Sequence, residues 1–315
     1  DQNNVLLLFE AAVAGGIPII KVLKQSIFLN KIKRICGILN GTTNYILSEM
    51  ENNNLNFTDV LKNAQDNGFA ESDPTNDIEG IDSVHKLSLL ASICFGVKIN
   101  FNNSHYKGIS NIHIEDIHYA KKLGYKIKLI SKTEIIKNKI ISVTEPMLID
   151  SKSELANING VLNAVKIETD YLKSLFLIGE GAGGKATASS IISDIFEISN
   201  YTNQKSLGYK SSQLIPIESV DFNNTKSSFY LRIIVKDISG VLAKITSNLT
   251  NEGISIETIL QLPENKNSFN KKEVPIIITT HETTISLLNK AIIKIENLSF
   301  VISKIIIINI DKHIK

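Results

Sequence analysis

Residues 64–90 read AQDNGFAESDPTNDIEGIDSVHKLSLL and hold the densest chemistry in the chain. Laid on a helix, Glu79, Asp82 and Lys86 fall at i, i+3 and i+7 and share one face, while Ile81, Val84, Leu87 and Leu90 fill the opposite side. Asp82 and Lys86 are an acid and a base one turn apart. By spacing alone such a pair is a surface ion pair worth roughly a few tenths of a kcal/mol. The neighbourhood points further, because Glu71, Asp73 and Asp77 crowd a short loop with Pro74 just before the helix. A dense acidic loop suits a ligand carrying an ammonium group. One lysine behind several acids suits proton delivery to a carbonyl or alkoxide oxygen. The six histidines are scattered without ligand spacing, so metal catalysis through histidine is not expected.

A second stretch, LFLIGEGAGGKATASSII (175–192), spells G-x-G-x-x-G with Gly179, Gly181 and Gly184 between an apolar run and a helix-like run. That is the local pattern of a dinucleotide-binding loop. A Rossmann unit also needs a second parallel strand ending in an acid about 20 residues on. Here the helix runs instead into YTNQKSLGYKSSQL, with neither strand nor acid at that distance. The bland reading is a tight strand-to-helix turn whose glycines allow close packing. A third is that these backbone amides meet a cofactor held mainly by another domain.

The elements that must position these residues follow from apolar periodicity. Residues 5–9 read as a short buried strand, 11–26 as a helix around Gly15, Gly16 and Pro18, and 35–39 as a strand leading into NGTTN. Residues 45–50 continue as a helix. Thr58 is a suitable N-cap for a helix over 59–66 with Gly68 as its stop. Residues 71–77 read as a polar loop and 78–95 as one strong helix. Strands are expected at 127–133, 140–149, 161–169 and 174–179, then a helix at 187–199 and a polar linker. The tail orders a strand at 229–235, a helix at 240–252 with Val241, Leu242, Ile245 and Leu249 on one face, and strands at 254–260 and 274–280 around the loop ENKNSFNKK. A helix at 282–297 carrying Ile285, Leu288, Ile292 and Ile295 and a strand at 300–310 complete it. That order, βαββαβ, is a ferredoxin-like unit.

The bulk properties exclude several classes. A chain of 315 residues is long enough for two domains, and a formal charge of +2 with no basic stripe between aromatics argues against nucleic acid. No apolar run reaches the ~18 residues of a membrane span. Cys36 and Cys94 sit in apolar segments and read as reduced, buried thiols of a cytoplasmic protein.

The chain resembles the homoserine dehydrogenase family. The resemblance is carried by Ala64, Gly68, Phe69, Ala70, Asp73, Pro74, Asp77, Ile78, Gly80, Asp82 and Lys86, which match the family's signature element by element. FEAAVAGGIPII (9–20), GILNGTTNYIL (37–47), GISNIHIEDIHYAKKLGYKIKL (108–129) and the GEGAGG…TAS segment (179–189) match too, so the likeness spans nearly all of residues 1–200. Ala186 stands where the family usually has Pro, a change in turn rigidity rather than chemistry. DISGVLAKI (237–245) and THET (280–283) resemble an ACT domain, a small-molecule sensing module.

The resemblance implies an α+β chain: a mixed-sheet substrate-binding and dimerisation domain over 1–205, a linker over 206–226 and an ACT domain over 227–313. It implies NAD(P)-dependent interconversion of L-homoserine and L-aspartate 4-semialdehyde, in the biosynthesis of threonine, methionine and isoleucine. Lys86 would be the general acid/base. Gly68, Glu71 and Asp82 would bind homoserine, and Gly183 would touch the NADP or NAD cofactor. Glu10, Val13, Gly15 and Ile17 would hold a structural Na+, largely through main-chain oxygens, which suit a hard cation. It further implies a homodimer or higher homo-oligomer and threonine as effector at the ACT domain, where Gly240 opens a helix. The family's Rossmann half, with a second active-site lysine, is expected ahead of the point where this sequence starts. A second reading is a truncated homologue without catalysis, kept as an amino-acid sensor.

Overall fold

The computed structural model describes residues 5–102, 104–200, 205–261 and 273–314. In chain order its helices and strands are α1 (Ile19–Lys21), β1 (Ile32–Ile38), α2 (Gly41–Asn53), α3 (Phe57–Asp66), α4 (Thr75–Ile78), α5 (Ile81–Phe95), β2 (His105–Tyr106), α6 (Ile114–Lys122), β3 (Tyr125–Ile136) and β4 (Lys139–Asp150). They continue with β5 (Leu162–Thr169), β6 (Ser174–Glu180), α7 (Gly184–Asn200), β7 (Lys226–Lys236), α8 (Val241–Asn251), β8 (Ile256–Leu260), β9 (Glu273–Thr280), β10 (Thr283–Thr284), α9 (Ile285–Glu296) and β11 (Ile306–Asp311). The chain divides into two units: Asp1–Ile117 with Ile127–Pro146 and Lys152–Val220, and His118–Lys126 with Met147–Ser151 and Asp221–Lys315. The second unit therefore draws two short pieces from the middle of the chain as well as its tail.

In the first unit the strands lie in the order β6-β5-β1-β3-β4, with β5–β6, β1–β5 and β1–β3 antiparallel and β2 parallel to β4. Four expected strands are present as β3 to β6, and the fifth as β1 with an earlier start. The core under β1 and β5 joins Ile35, Val165 and Ile167 to Leu87, Leu90 and Ile93 of α5 and to apolar residues of segment 13–27. Burying that stripe of α5 turns its opposite face, with Asp82 and Lys86, toward the rim.

Several expectations need correction here. Residues 5–9 form no strand, and the expected helix over 11–26 is broken. A 3-10 turn at Glu10–Ala12 is followed by an irregular segment, then by α1 running into a wide π turn at Val22–Ser26. Ala14 has φ +51°, and Pro18 has no amide to extend a helix backwards. The expected helix over 78–95 starts late, as α5 at Ile81, because Gly80 sits at φ +80°, and the polar loop expected over 71–77 instead ends in a short helix, α4. α3 begins one residue before Thr58, and the residue at its cap, Asn56, makes no side-chain cap bond. α2 and α7 start earlier than expected. The segment expected as a linker is tied down over 215–220: Ile215 donates to Gly96 O, Lys98 to Ile215 O, Ile140 to Glu218 O and Val220 to Ile140 O.

The second unit has the order β11-β7-β9-β8, all antiparallel, with Met147–Ile149 of β4 parallel beside β11. With β7, α8, β8, β9, α9 and β11 in sequence, this is the ferredoxin-like βαββαβ arrangement. Val241, Ile245 and Leu249 of α8 and Leu288, Ile292 and Ile295 of α9 enter its core, but Leu242 is exposed. β11 starts at Ile306 rather than 300; Phe300 and Ile305 are core residues in the non-strand approach. The loop at 264–272 lies outside the described residues.

Candidate functional site

The chemistry gathers where β1 hands over to α2 and α5 begins. Leu39 and Asn40 leave β1 extended, and Asn40 caps α2 by accepting the Thr43 amide at its Oδ1 (2.9 Å). Lys86 Nζ lies 2.7 Å from Asp82 Oδ2 and donates to the Leu39 carbonyl at 3.1 Å. Asn40 Nδ2 donates to Asp77 Oδ1 at 2.7 Å and to Asp82 Oδ2 at 3.0 Å. The Lys86 and Asp82 side chains are 20 % and 31 % exposed. They form neither a solvated surface pair nor a sealed one: a ligand oxygen can reach the ammonium, which is held by a carboxylate and a carbonyl.

The loop ahead of α4 lies against the start of α2. Gly68 leaves α3 at φ +74°, and the Phe69 and Ala70 amides both donate to Ala64 O. Thr42 Oγ1 donates to Phe69 O at 2.8 Å, and the Phe69 and Tyr45 ring centroids are 4.8 Å apart. Gln65 Nε2 donates to the Glu71 and Ser72 carbonyls, which leaves the Glu71 side chain at the surface. The acids from Glu71 to Asp82 do different work. Asp73 accepts the Thr75 hydroxyl and amide, which hold its carboxyl below the usual aspartate range and make it a turn residue. Asp77 and Asp82 are joined by Asn40. Glu79 falls in the break between α4 and α5, packed against Gly108, so it does not share a helix face with Asp82 and Lys86. The structure thus brings Lys86, Asp82 and Asp77 together. The sequence reading singled out GILNGTTNYIL (37–47) as a family segment but named neither Asn40 nor the Leu39 carbonyl as part of the site.

Glu10, Val13, Gly15, Ile17 and Gly183 belong to a second grouping. A Cβ on Gly15 would stand 2.7 Å from the Gly181 carbonyl oxygen, and one on Gly181 would run into the Asn163 carboxamide. These glycines serve close packing of segment 13–17 on the turn after β6. Gly183, at φ +111°, and Gly184 are different: an added Cβ there meets nothing within 4 Å, at the N-terminus of α7. Beneath the turn, both polar atoms of the buried Asn163 side chain are without a hydrogen-bond partner. The open backbone at Gly183 and Gly184 leaves room for a ligand that the packed Gly179 and Gly181 do not.

Around Glu10, burial raises the carboxyl pKa, and the Ile20 and Lys21 amides, which it accepts at 2.8 and 2.9 Å, work the other way. The Glu10 amide donates to Asp194 Oδ2 at 2.8 Å, and Lys21 Nζ bridges Asp194 (3.4 Å) and Glu197 (3.0 Å) of α7. The Gly15 carbonyl accepts Ser190 Oγ at 2.6 Å, and Ile17 O accepts the Ile19 amide. With the Glu10 carboxylate occupied, only main-chain oxygens of this segment suit a monovalent cation. Among the described residues no group of three or more His, Cys, Asp or Glu side chains could hold a metal ion. Neither cysteine is in a disulfide, and no described helix is long and apolar enough to cross a membrane.

A family model described as homoserine dehydrogenase matches residues 18–196. The homoserine dehydrogenase of Neisseria gonorrhoeae is 39 % identical, the match covering 99 % of this chain and 72 % of that protein. The structure of a homoserine dehydrogenase from Thiobacillus denitrificans superposes with a TM-score of 0.87 at 39 % identity, covering 96 % of this chain and 70 % of that one. A hyperthermophilic archaeal homoserine dehydrogenase mutant in complex with NADPH superposes with a TM-score of 0.54 at 30 % identity over 63 % of this chain and 57 % of that one. The described motifs, the fold around them and these likenesses converge: the chain belongs to the homoserine dehydrogenase family of oxidoreductases.

Proposed function

We propose that the chain binds L-homoserine over the start of α2 and α5 and moves the hydroxyl proton through Lys86. In the oxidative direction the substrate alcohol becomes the aldehyde of L-aspartate 4-semialdehyde. The O–H proton passes to the neutral Lys86 amine, and the carbon-bound hydrogen leaves as hydride; reduction reverses both. The observation that carries this reading is the partly accessible Lys86 ammonium held between Asp82 Oδ2 and Leu39 O. Asp82 and Glu71 would offer carboxylates to the substrate ammonium group, and the Gly68 backbone would line the same site. A bound nicotinamide cofactor, NADP or NAD, supplies hydride acceptance in one direction and donation in the other. Gly183 would touch it, which the open backbone there supports; the dinucleotide fold itself is expected in the part of such enzymes outside the match, 72 % of the gonococcal relative being covered. The test is homoserine-dependent NAD(P)H formation by the complete enzyme. A sensor that had abandoned catalysis would have no chemical use for the Lys86–Asp82 pair.

Three finer readings accompany it. The main-chain oxygens of Glu10, Val13, Gly15 and Ile17 would hold Na+ as a structural ion. The ferredoxin-like unit would be an ACT domain with threonine as effector. A thermal-shift titration with threonine is then expected to raise the unfolding midpoint, and a flat response in a folded sample sinks that reading. The third concerns assembly. α7 is amphipathic in the reverse sense: it buries Ser190, Asp194 and Glu197 and exposes Ile191, Ile192, Ile195, Phe196 and Ile198. Beside it β6 ends the sheet order of its unit and exposes Ile178. A contiguous apolar face of this kind needs a cover, and a second copy of the chain meets it in a homodimer. Light scattering is expected to give a dimer that Phe196→Asp converts to monomer; an intact dimer in that variant rules this face out. The two thiols fit a reducing, cytoplasmic setting.

A further inference from the structure

Asn40 does two jobs with one carboxamide. Its Oδ1 accepts the Thr43 amide at 2.9 Å and the Thr43 hydroxyl at 3.1 Å, which closes the N-terminus of α2. With the oxygen committed, the NH2 group is forced to the other side, where it donates to Asp77 Oδ1 at 2.7 Å and Asp82 Oδ2 at 3.0 Å. Asn40 itself is 5 % exposed, and both donations are made at the edge of the interior, to carboxylates that still touch solvent. Asp82 Oδ2 is the same oxygen that faces Lys86 Nζ at 2.7 Å. Ser, Thr, Asp and Asn all cap a helix well, so capping alone does not select asparagine. Of these four, only asparagine can accept at the cap and donate two N–H bonds in the opposite direction.

We infer that Asn40 is a positioning residue of the homoserine site: its amide ties Asp77 of α4 to Asp82 of α5 and holds the Asp82 carboxylate on Lys86. The inference rests on the reading of Lys86 as the acid/base. The titratable groups gathered at this point are Asp82 on α5 itself, Asp77 on α4 and Lys86. The amide's two donors offset the repulsion between the two carboxylates, which belong to separate helices and would otherwise part. The amide itself carries no charge, so it orders the acids without neutralising either.

The test compares Asn40→Asp and Asn40→Ser in the complete enzyme, both of which keep a capping side chain and so the fold. Asn40→Asp replaces the donors by a third carboxylate beside the ammonium. The limb of the kcat pH profile that depends on Lys86 is expected to move upward, because added negative charge favours the protonated form. Asn40→Ser adds no charge; the limb is expected to stay, while the KM for homoserine rises about tenfold or more and the KM for the cofactor does not change. Loss of kcat and of thermal stability in both variants, with limb and homoserine KM unmoved, would make Asn40 a helix cap and nothing else, and would overturn the inference. So would variants that match the parent in every parameter. Failure of the underlying reading looks different: the parent profile would then show no limb that Lys86→Ala abolishes, whatever Asn40 does.

Discussion

Lys86→Ala in the complete enzyme is expected to lower kcat for homoserine oxidation by about a hundredfold to ten-thousandfold, the range of a positioned general acid/base. The structural reason is the confinement of Nζ between Asp82 Oδ2 at 2.7 Å and Leu39 O at 3.1 Å, with 20 % of the side chain still accessible. Lys86→Arg separates the two contributions of the lysine. It restores positive charge beside Asp82 and should keep the homoserine KM near that of the parent, but a guanidinium stays protonated and cannot accept the substrate proton. Its kcat should therefore remain as low as that of the alanine variant. An alanine variant that keeps more than about a tenth of the parent kcat would remove Lys86 from the chemistry, since positioned proton transfer contributes more than that.

Lys21→Met is expected to destabilise the first unit by about 1–3 kcal/mol, less than the loss of a fully buried partner because the lysine itself stays partly open to solvent. Lys21 Nζ stands at 3.0 Å from Glu197 and 3.4 Å from Asp194, both buried on the inner face of α7, and Glu10 is buried beside them. Methionine fills the space but leaves the carboxylates without their cation. The sign of the pH dependence follows from the lysine itself. Burial lowers its pKa, but the hydrogen bond and charge of Glu197, then those of Asp194, outweigh burial, and the net position is above the ordinary 10.5. A lysine raised in the folded state contributes stability that is fully present below 10.5 and is lost as pH rises through the folded value. Urea unfolding followed at neutral pH should show the full deficit of the variant. The deficit should shrink at acidic pH, where uncompensated carboxylates take up protons. A deficit of equal size at both would mean that lost packing of the lysine stem, not charge, is responsible.

The patterns that the sequence by itself determined are those written within one element. β3 to β6 follow from alternating or continuous apolar runs bounded by turn residues, and α8 and α9 from apolar residues at helical spacing. The βαββαβ order of the tail needs only the succession of these elements. The Asp82–Lys86 pair was legible because i and i+4 meet on any helix, whatever surrounds it. What only the tertiary structure decided lies between elements. Asn40 reaches Asp77 and Asp82 across 37 and 42 residues of chain, and no local rule links an N-cap to the acids of another helix. Glu79 left the helix face because Gly80, at φ +80°, separates α4 from α5, and Glu79 packs instead against Gly108 of a distant segment. The G-x-G-x-x-G pattern divided into packing glycines at 179 and 181 and open backbone at 183 and 184 only once Ile17 and Asn163 stood under the first pair. α7 carries its acids inward because Lys21 and the Glu10 amide, over 170 residues earlier in the chain, wait there for them. Periodicity reports which face of an element is apolar. Which face turns inward depends on the groups packed against it, and those are known only when the chain has folded.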